Sequence, residues 1–594
     1  MMLKKVTSIV LCFALLFSLC SYFSVGASAQ DSIAACDGNC GYSPTILIHG
    51  IGQSTVRILD ESGEYKRDKN GEYVNAWPIS VDTRYLVSLL IRPVLKTLLT
   101  QRNYVSPVLD EAADVIFSSN MCDNEGKPYA DLNVVKYEKS LADCTAEEKA
   151  KIYGTLPMHD YAQIAGEDHL FFFAYNSFGN AMDIADEFIA FIEMVKQSTG
   201  HDKVSIVPIS LGGTIMNSIM ECHMSEIEDS IDRVVYIIPA ADGSRIIGDL
   251  YNGKFSTDDE SLYLTLWPSL LKGYAGYLVN IALRLLKNEI VIDVIDSLLA
   301  TLTQKVLINC TNMWALVPSG DYPALREKYL CDGEHDVLRE QTDAYYNAQL
   351  NRDDNINYLK SRGVEFFNIV DYDFPLYALV PSYKDCNADG VIHVHSTSLG
   401  CTSVPVGETL PEDYAPVNPK CTDPTHNHIS PSRTLDASTC LLPETTWYMR
   451  NQNHEGSGRN HVIINLATKI LVGQISSIYD NDNYPQFIDG RESRELRRLL
   501  NFTENEADLS ALSEEQRARL SEALEQGHFV VDNNTTSQEE FYLAADNLKQ
   551  VLAECLLITP PKAPSKIEIA FTKLCKSLSE KLYNKYGNKG FFER

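Results

Sequence analysis

The sequence predicts an α/β fold in which helices cover both faces of a doubly wound, mostly parallel sheet. The strongest observation is that short, strand-like apolar segments alternate with longer segments of helical periodicity. The second is size, since 594 residues with 45% hydrophobic content allow one large core and a smaller unit at roughly 150 residues per domain. The formal net charge of −29 bears on partners rather than on the fold, and it argues against nucleic acids and anionic membranes as electrostatic partners.

The first 29 residues have the pattern of an export signal. Lys4 and Lys5 give a positively charged start, residues 6–22 are mostly apolar, and Ala27-Ser28-Ala29 offers small residues at a cleavage position. We expect residues 1–29 to be removed and the mature protein to be secreted. The alternative is a lipid anchor at Cys20, although the bulky residues before it fit a lipobox poorly.

Cysteine is frequent enough to predict disulfide bridges in an exported chain. Fifteen cysteines minus Cys12 and Cys20 of the signal leave thirteen, so at least one thiol stays unpaired. Some of them could instead be small buried hydrophobic residues. Local bridges are expected where cysteines crowd together, which is at Cys36 and Cys40 and among Cys386, Cys401, Cys421 and Cys440.

Six strand-like segments predict the central sheet. Helical spacing follows several of them, at residues 184–195, from Thr214 onward and at residues 461–472. This alternation of strand and helix is typical of parallel sheets. The predicted strands are residues 45–48, 169–175, 203–207, 233–238, 363–370 and 445–449.

Three insertions interrupt the predicted domain of residues 36–475. Residues 80–165 and 245–360 are expected to form helical caps, and residues 401–440 a cysteine-rich loop. Residues 262–307 are apolar, but their longest uncharged runs hold about eleven residues, whereas a membrane span needs about 20. We therefore expect no transmembrane segment in the mature chain. The apolar face of this cap would line an acyl-chain pocket or simply pack as a helical subdomain.

Residues 476–594 are predicted to form an all-α module. Ser513-Glu514-Glu515-Gln516 matches a capping box, Thr536 and Ser537 precede a second helix, and a final amphipathic helix covers about residues 565–583. The module is similar to the short three-helix repeats of Gram-positive surface proteins, which implies association with the cell envelope. Packing of these helices against the main domain is the alternative.

A serine between a strand and a helix is the first candidate for chemistry. Ser210 lies in Pro208-Ile209-Ser210-Leu211-Gly212-Gly213, after the strand at residues 203–207 and before a helix. A serine on such a tight turn is pushed out of the sheet with its hydroxyl exposed. A hydroxyl becomes a good nucleophile when an imidazole takes its proton and a carboxylate orients that imidazole. The sequence therefore predicts a serine nucleophile that requires an acid and a histidine further along the chain.

Asp389 and His454 follow the serine in the order that this chemistry requires. Asp389 comes after the strand at residues 363–370, where the acid of such a fold is expected. His454 lies between the strand at residues 445–449 and the last helix of the domain. The alternative base is His461, which starts that helix and could simply cap it.

Two metal sites compete with this interpretation of the region. Asp385, Asn387 and Asp389 match the first half of a calcium-binding EF-hand loop, but Ser396 stands where its bidentate glutamate belongs. The serine mechanism itself predicts neither a metal nor another cofactor. The second alternative is a zinc cluster, because two H-x-H pairs lie in one insertion, and its residues would be His393, His395, His426, His428 and Asp423.

The backbone near Ser210 predicts a site for developing negative charge. The amides of Leu211 and Ile51 are the expected donors to the oxyanion of a tetrahedral intermediate. Ile51 belongs to His49-Gly50-Ile51-Gly52, where Gly50 and Gly52 allow the loop to approach the serine closely. Pro208 departs from the glycine that usually stands two positions before the serine, so the turn must form beside a fixed φ.

Together these residues resemble the lipase-like branch of the α/β hydrolases, which includes secreted bacterial lipases and enzymes similar to lecithin:cholesterol acyltransferase. The resemblance implies hydrolysis of carboxylic esters, with a lipid or other acyl ester as the substrate, through an acyl-serine. Asn176-Ser177-Phe178 departs from the Asp-Trp-Arg of acyltransferase-like members. The matching segments are residues 49–52, 171–175, 203–213, 239–244 and 389–392, with Ser396, Leu399-Gly400 and His454.

The same residues leave other functions open. An acyltransferase, or a deacetylase of envelope glycans, would use the same three side chains. A non-catalytic surface-binding protein would instead use residues 476–594 to bind a partner.

Overall fold

The structure is a computed structural model. It describes residues 40–80, 83–270, 274–416, 427–489, 496, 499–500, 502–507, 509–510, 512–532, 538–555, 557 and 566–587. The predicted export signal, Cys36, Cys421 and the predicted helix cap at Thr536 and Ser537 lie outside the described residues. Within them the chain forms a parallel sheet, helices on both faces of that sheet, and a helical tail.

A parallel sheet forms the centre of the molecule. Along the chain the strands are β1 (Thr45–Ile48), β2 (Val56–Ile58), β3 (Asn75–Trp77), β4 (Leu132–Val134), β5 (Leu170–Phe173), β6 (Val204–Pro208), β7 (Ile231–Ile237), β8 (Glu365–Tyr372), β9 (Thr402–Ser403), β10 (Leu435–Asp436), β11 (Thr446–Arg450) and β12 (Phe487–Asp489). Among the described strands, seven form the central sheet in the order β12-β11-β8-β7-β6-β1-β5. Every neighbouring pair is parallel, so the predicted α/β fold is confirmed.

Helices connect these strands and form the tail. Along the chain they are α1 (Thr83–Thr100), α2 (Leu109–Phe117), α3 (Ala146–Thr155), α4 (His159–Ala165), α5 (Ala181–Thr199), α6 (Gly212–Cys222), α7 (Met224–Ile227), α8 (Arg245–Tyr251), α9 (Leu266–Leu270), α10 (Ala275–Leu283), α11 (Asn288–Leu302), α12 (Thr311–Trp314), α13 (Tyr322–Leu330), α14 (Asp336–Ser361), α15 (Val394–Thr397), α16 (His454–Ser457), α17 (His461–Leu471), α18 (Glu514–Asp532), α19 (Gln538–Glu554) and α20 (Lys566–Tyr586). No described helix has both the length and the apolar run needed to cross a bilayer.

The core lies on both faces of the sheet because alternate side chains of a strand point in opposite directions. In β1, Ile46 and Ile48 pack into one cluster with buried residues of α5, α6 and α14. Leu47, between them, packs into the other cluster with buried residues of α3, α4 and α17. The sheet is therefore doubly wound, as predicted, and its strands are buried on both sides.

The strand order reverses between β1 and β6. From β1 the chain adds β5 on one side, crosses back to β6 on the other side, and then continues outward through β7, β8, β11 and β12. At such a reversal the loops after the two strands diverge and leave a crevice beyond their carboxyl ends, which is where open α/β sheets bind ligands. The turn that carries Ser210 and the loop that carries Ile51 both lie at this crevice.

The largest insertion leaves and rejoins the sheet between neighbouring strands. Helices α8–α14 lie between β7 and β8, which are paired directly with each other. The final helix α20 packs on this insertion, where buried Asn280 donates to Ser579 Oγ at 3.3 Å. Arg284 Nη1 donates to the carbonyl of Gly587 at 2.6 Å. The last helix of the tail therefore packs against the insertion of the same chain.

The sheet extends past residue 475, where the sequence interpretation ends the domain. Strand β12 pairs in parallel with β11 at the sheet edge. Three residues in a polar setting carry too little periodicity to predict a strand. Beyond it, α18 and α19 pack on each other around a separate apolar cluster that includes Leu520 and Leu548.

The structure joins none of the described cysteines to one another by a disulfide bond. Cys386 Sγ contacts the Ser382 carbonyl at 3.2 Å, and Cys401 Sγ contacts the Asp436 carbonyl at 3.1 Å. The local bridges predicted among Cys386, Cys401 and Cys440 are therefore not present in this structure.

Candidate active site

Ser210 lies on a tight turn between β6 and α6. Its φ is 53°, a left-handed value that few residues other than glycine adopt. Strand β7 and the loop after it hold this conformation, because the Ser210 amide donates to the Ile237 carbonyl at 3.1 Å and the Ala240 amide donates to the Ser210 carbonyl at 2.8 Å. Pro208 ends β6 without preventing the turn. The local geometry is thus the one that the strand, serine and helix pattern predicts.

The two glycines after the serine are required by close packing. A methyl group on Gly212 would lie 2.5 Å from the Ile48 carbonyl oxygen, and one on Gly213 would lie 2.7 Å from Cβ of Pro239. Both distances are far below ordinary contact. The absence of side chains therefore lets α6 start directly against β1 and the loop after β7.

Ser210, His454 and Asp389 form a continuous hydrogen-bonded chain. Ser210 Oγ lies 2.9 Å from His454 Nε2, and His454 Nδ1 lies 2.7 Å from Asp389 Oδ2. The His454 amide also donates to the Asp389 carbonyl at 2.8 Å. Three side chains that are far apart in sequence are thus in contact, and the imidazole is held from both its backbone and its ring.

The Asp389 carboxylate is fully buried and held by backbone donors. Its Oδ1 accepts hydrogen bonds from the amides of Val391 at 2.9 Å and Ile392 at 2.7 Å. Asn387 instead faces Asp373, to whose carboxylate its side chain donates at 3.0 Å, and Asp385 is exposed. This arrangement does not match the EF-hand alternative, whose ligands would converge on one ion.

The electrostatic surroundings favour the protonated form of His454. Burial by itself lowers the pKa of His454, but the charge and hydrogen bond of Asp389 outweigh it, with further help from the charges of Asp371 and Glu455. The pKa is therefore raised above the ordinary value for histidine. A histidine of this kind takes a proton from a hydroxyl more readily than a free imidazole does.

The predicted oxyanion donors both lie in the backbone around Ser210. Neither the Ile51 amide nor the Leu211 amide donates a hydrogen bond to another residue in the described part of the chain. A methyl group on Gly50 would lie only 3.1 Å from Cβ of Ser210. The loop after β1 thus lies against the serine, and glycine is needed there.

Gly52 fixes the far side of the same loop. Its φ is 69°, and a methyl group on it would meet the Trp77 ring at 2.4 Å. Its amide donates to Ser177 Oγ at 2.8 Å, and its carbonyl accepts from Trp77 Nε1. The loop that carries Ile51 is therefore held by contacts that are distant in sequence.

His49 and Asp371 are two site residues to which sequence reasoning gave no role. His49 is buried, and its ring stacks on that of Tyr175 with 4.1 Å between the ring centroids. Burial lowers the pKa of His49 to about 3. It is therefore a neutral support for the loop after β1. Asp371 is buried at the end of β8 and accepts a hydrogen bond from Ser457 of α16. A carboxylate directly after the predicted strand at residues 363–370 is the signal that could have identified Asp371.

The histidines of the predicted zinc alternative do not form one group among the described residues. His393 is buried, and burial lowers its pKa to about 3. His428 Nδ1 contacts Gln486 Oε1 at 3.0 Å. His426 and Asp423 lie outside the described residues, as does the side chain of His461.

Comparison with known proteins gives little further information. No model of a known protein family matches the chain, and no curated protein matches its sequence. One solved structure to which the chain is similar is the crystal structure of the Tle4-Tli4 complex, with 13% sequence identity and a TM-score of 0.25. That similarity covers 57% of this chain and 75% of the other. It is too distant to support an inference about activity.

Proposed function

We propose that the protein is a secreted serine hydrolase of the α/β-hydrolase type that cleaves carboxylic esters. The observation that carries the proposal is the pair of distances at His454, 2.9 Å to Ser210 Oγ and 2.7 Å to Asp389 Oδ2. A hydroxyl, an imidazole and a buried carboxylate in this order are the parts that acyl transfer requires. The crevice at the strand-order reversal is where a substrate would bind.

In the first half of the proposed reaction, Ser210 becomes acylated. Its Oγ attacks the ester carbonyl carbon while His454 Nε2 takes the hydroxyl proton. The amides of Ile51 and Leu211 donate to the resulting oxyanion. The intermediate then collapses, the bond to the alcohol breaks, and His454 gives its proton to the departing alkoxide.

In the second half, water releases the acyl group. His454 Nε2 takes a proton from water while the water oxygen attacks the acyl-serine carbonyl carbon. When this intermediate collapses, the bond between the acyl carbon and Ser210 Oγ breaks, and His454 returns the proton to Ser210 Oγ. Asp389 keeps the ring in the tautomer with hydrogen on Nδ1 and stabilises the imidazolium without taking its proton. The products are a carboxylic acid and an alcohol.

The Ser210→Ala variant, assayed beside the wild type on p-nitrophenyl esters of increasing acyl length, tests this proposal. Ser210→Ala should lower turnover of these esters to on the order of a thousandth or less and abolish labelling by a fluorophosphonate. Ser225→Ala is the matched control, because Ser225 is exposed and lies on α7 away from the site. Labelling of Ser210→Ala at the wild-type level would disprove the role of the serine.

The acceptor of the acyl group distinguishes hydrolysis from the related transferase reaction. The wild-type protein is incubated with an ester and an excess of an unrelated alcohol, and the products are measured by mass spectrometry. Hydrolysis gives mainly the free acid at every alcohol concentration tested. Mainly new ester, with little free acid, would contradict the proposed hydrolase.

A further inference from the structure

Three residues with metal-binding side chains meet at the amino ends of the central strands. Ser210 lies at the opposite, carboxyl ends. Cys40 precedes β1, His169 precedes β5, and His201 precedes β6. These strands are adjacent and parallel in the order β6-β1-β5, so the residues before them lie together at the amino ends of the strands. We propose that Cys40, His169 and His201 bind a zinc ion that has a structural role.

Two of the three distances between the ligand atoms fit a tetrahedral zinc ion. Cys40 Sγ lies 3.1 Å from His169 Nε2 and 3.6 Å from His201 Nε2, and the two nitrogens are 3.3 Å apart. Zinc bonds of about 2.3 Å to sulfur and about 2.05 Å to nitrogen at tetrahedral angles require separations of about 3.6 Å and about 3.3 Å. The S–N distance to His201 and the N–N distance match, and the S–N distance to His169 is shorter than required by about 0.5 Å.

The orientation of His169 is that of a zinc ligand supported by a carboxylate. Its Nδ1 lies 2.9 Å from Asp168 Oδ1, and the imidazole is almost fully buried. A hydrogen on Nδ1 that is donated to Asp168 leaves Nε2 with a lone pair directed at the cluster. Metal-binding histidines usually have such a partner on the second nitrogen, which fixes the tautomer and strengthens the ligand.

The types of ligand atom favour zinc over the hard cations. One thiolate and two imidazoles suit zinc, whereas calcium and magnesium require oxygen ligands. The three side chains supply three bonds, and the exposed position of Cys40 leaves solvent access for a fourth ligand. Since the cluster lies at the amino ends of the strands and Ser210 at the carboxyl ends, the ion would take no part in ester chemistry. It would link the segment before β1 to the segments before β5 and β6.

The test measures metal in the full mature protein, purified without chelator in a non-chelating reductant. Wild-type protein should contain about one zinc per chain by mass spectrometry of the metal. After chelation, titration with Co²⁺ should give a thiolate-to-cobalt absorption band. Cys40→Ser should abolish that band, His201→Ala should weaken Co²⁺ binding at least tenfold, and Asp168→Asn should weaken it about 10–100-fold.

Two variants outside the cluster serve as controls. Cys331→Ser removes an exposed cysteine, and His223→Ala removes a histidine paired with Asp186, so both should keep the metal content and the cobalt band. Wild-type protein without zinc and without a cobalt band would overturn the proposal, and that measurement needs no variant. Equal metal binding by Cys40→Ser or His201→Ala would also overturn it, because the ion would then bind elsewhere. Ester turnover by the zinc-free wild type reports separately on the proposed hydrolase.

Discussion

At the scale of single residues, the pKa of His454 sets the pH range in which the proposed hydrolase works. The base must be neutral, so activity should be present above the pKa and fall as pH drops through it. Because Asp389 raises that pKa, the acidic limb of kcat/KM should lie above about 6.5, the ordinary value for histidine.

The Asp389→Asn variant tests the origin of that limb. Removing the negative charge should move the limb to lower pH and lower kcat by up to about 10⁴-fold, since the ring also loses its preferred tautomer. Asp385→Asn is the matched control, because Asp385 is exposed in the same loop, and it should leave the profile unchanged. An unshifted limb in Asp389→Asn would rule out Asp389 as the group that raises the pKa.

Gly212 gives a second prediction at this scale. Gly212→Ala forces a methyl group to within 2.5 Å of the Ile48 carbonyl, and such overpacking typically costs about 1–3 kcal/mol. We expect a lower thermal unfolding midpoint together with lower ester turnover, because the turn carrying Ser210 must shift. Gly320→Ala meets no atom within 4 Å and should change neither. A Gly212→Ala protein as stable as the wild type would show that the turn relaxes freely.

At the scale of elements, strands with a continuous apolar run could be predicted, and short strands without one could not. Phe171, Phe172 and Phe173 identify β5 because helices cover both of its faces, although β5 lies at the end of the strand order. The crevice follows from the same pattern, since Ser210 and Ile51 directly follow two such strands. The three-residue strand β12 lacks any such signal. Sequence spacing also does not reveal that His169 lies beside Cys40, which is 129 residues away. The order of the strands in the sheet brings the two residues together.

The final helix α20 carries the prediction that belongs to the element scale. A chain ending at residue 565 loses the contact of Ser579 with Asn280 and that of Gly587 with Arg284. It also uncovers part of the apolar cluster that includes Leu262 and Tyr263, against which Tyr583 packs. Each apolar side chain buried in full contributes about 1.5–3 kcal/mol. Limited proteolysis should therefore cut residues 252–310 faster in this chain than in one ending at residue 587. Equal cleavage rates would show that α20 does not stabilise the insertion.

At the scale of the whole molecule, the net charge controls which lipid surfaces the protein approaches. A formal charge of −29 repels anionic vesicles, and this repulsion reaches about 30 Å at 0.01 M salt but only about 3 Å at 1 M. Cosedimentation with anionic vesicles should therefore be weakest at low salt and rise with salt, while cosedimentation with zwitterionic vesicles stays nearly constant. Stronger binding to anionic vesicles at low salt would reveal a basic surface that outweighs the net charge.

The place where the chain departs between β7 and β8 has a consequence for how such a protein can diversify. Those two strands are hydrogen-bonded neighbours, so the insertion between them begins and ends at adjacent points of the sheet. Exposed parts of the insertion can change in length without removing a hydrogen bond between β7 and β8, whereas α14 is constrained because it packs in the core with Ile46 and Ile48. In the proposed hydrolase, a preference for one acyl group over another could therefore change in the exposed parts of the insertion while the residues around Ser210 stay constant.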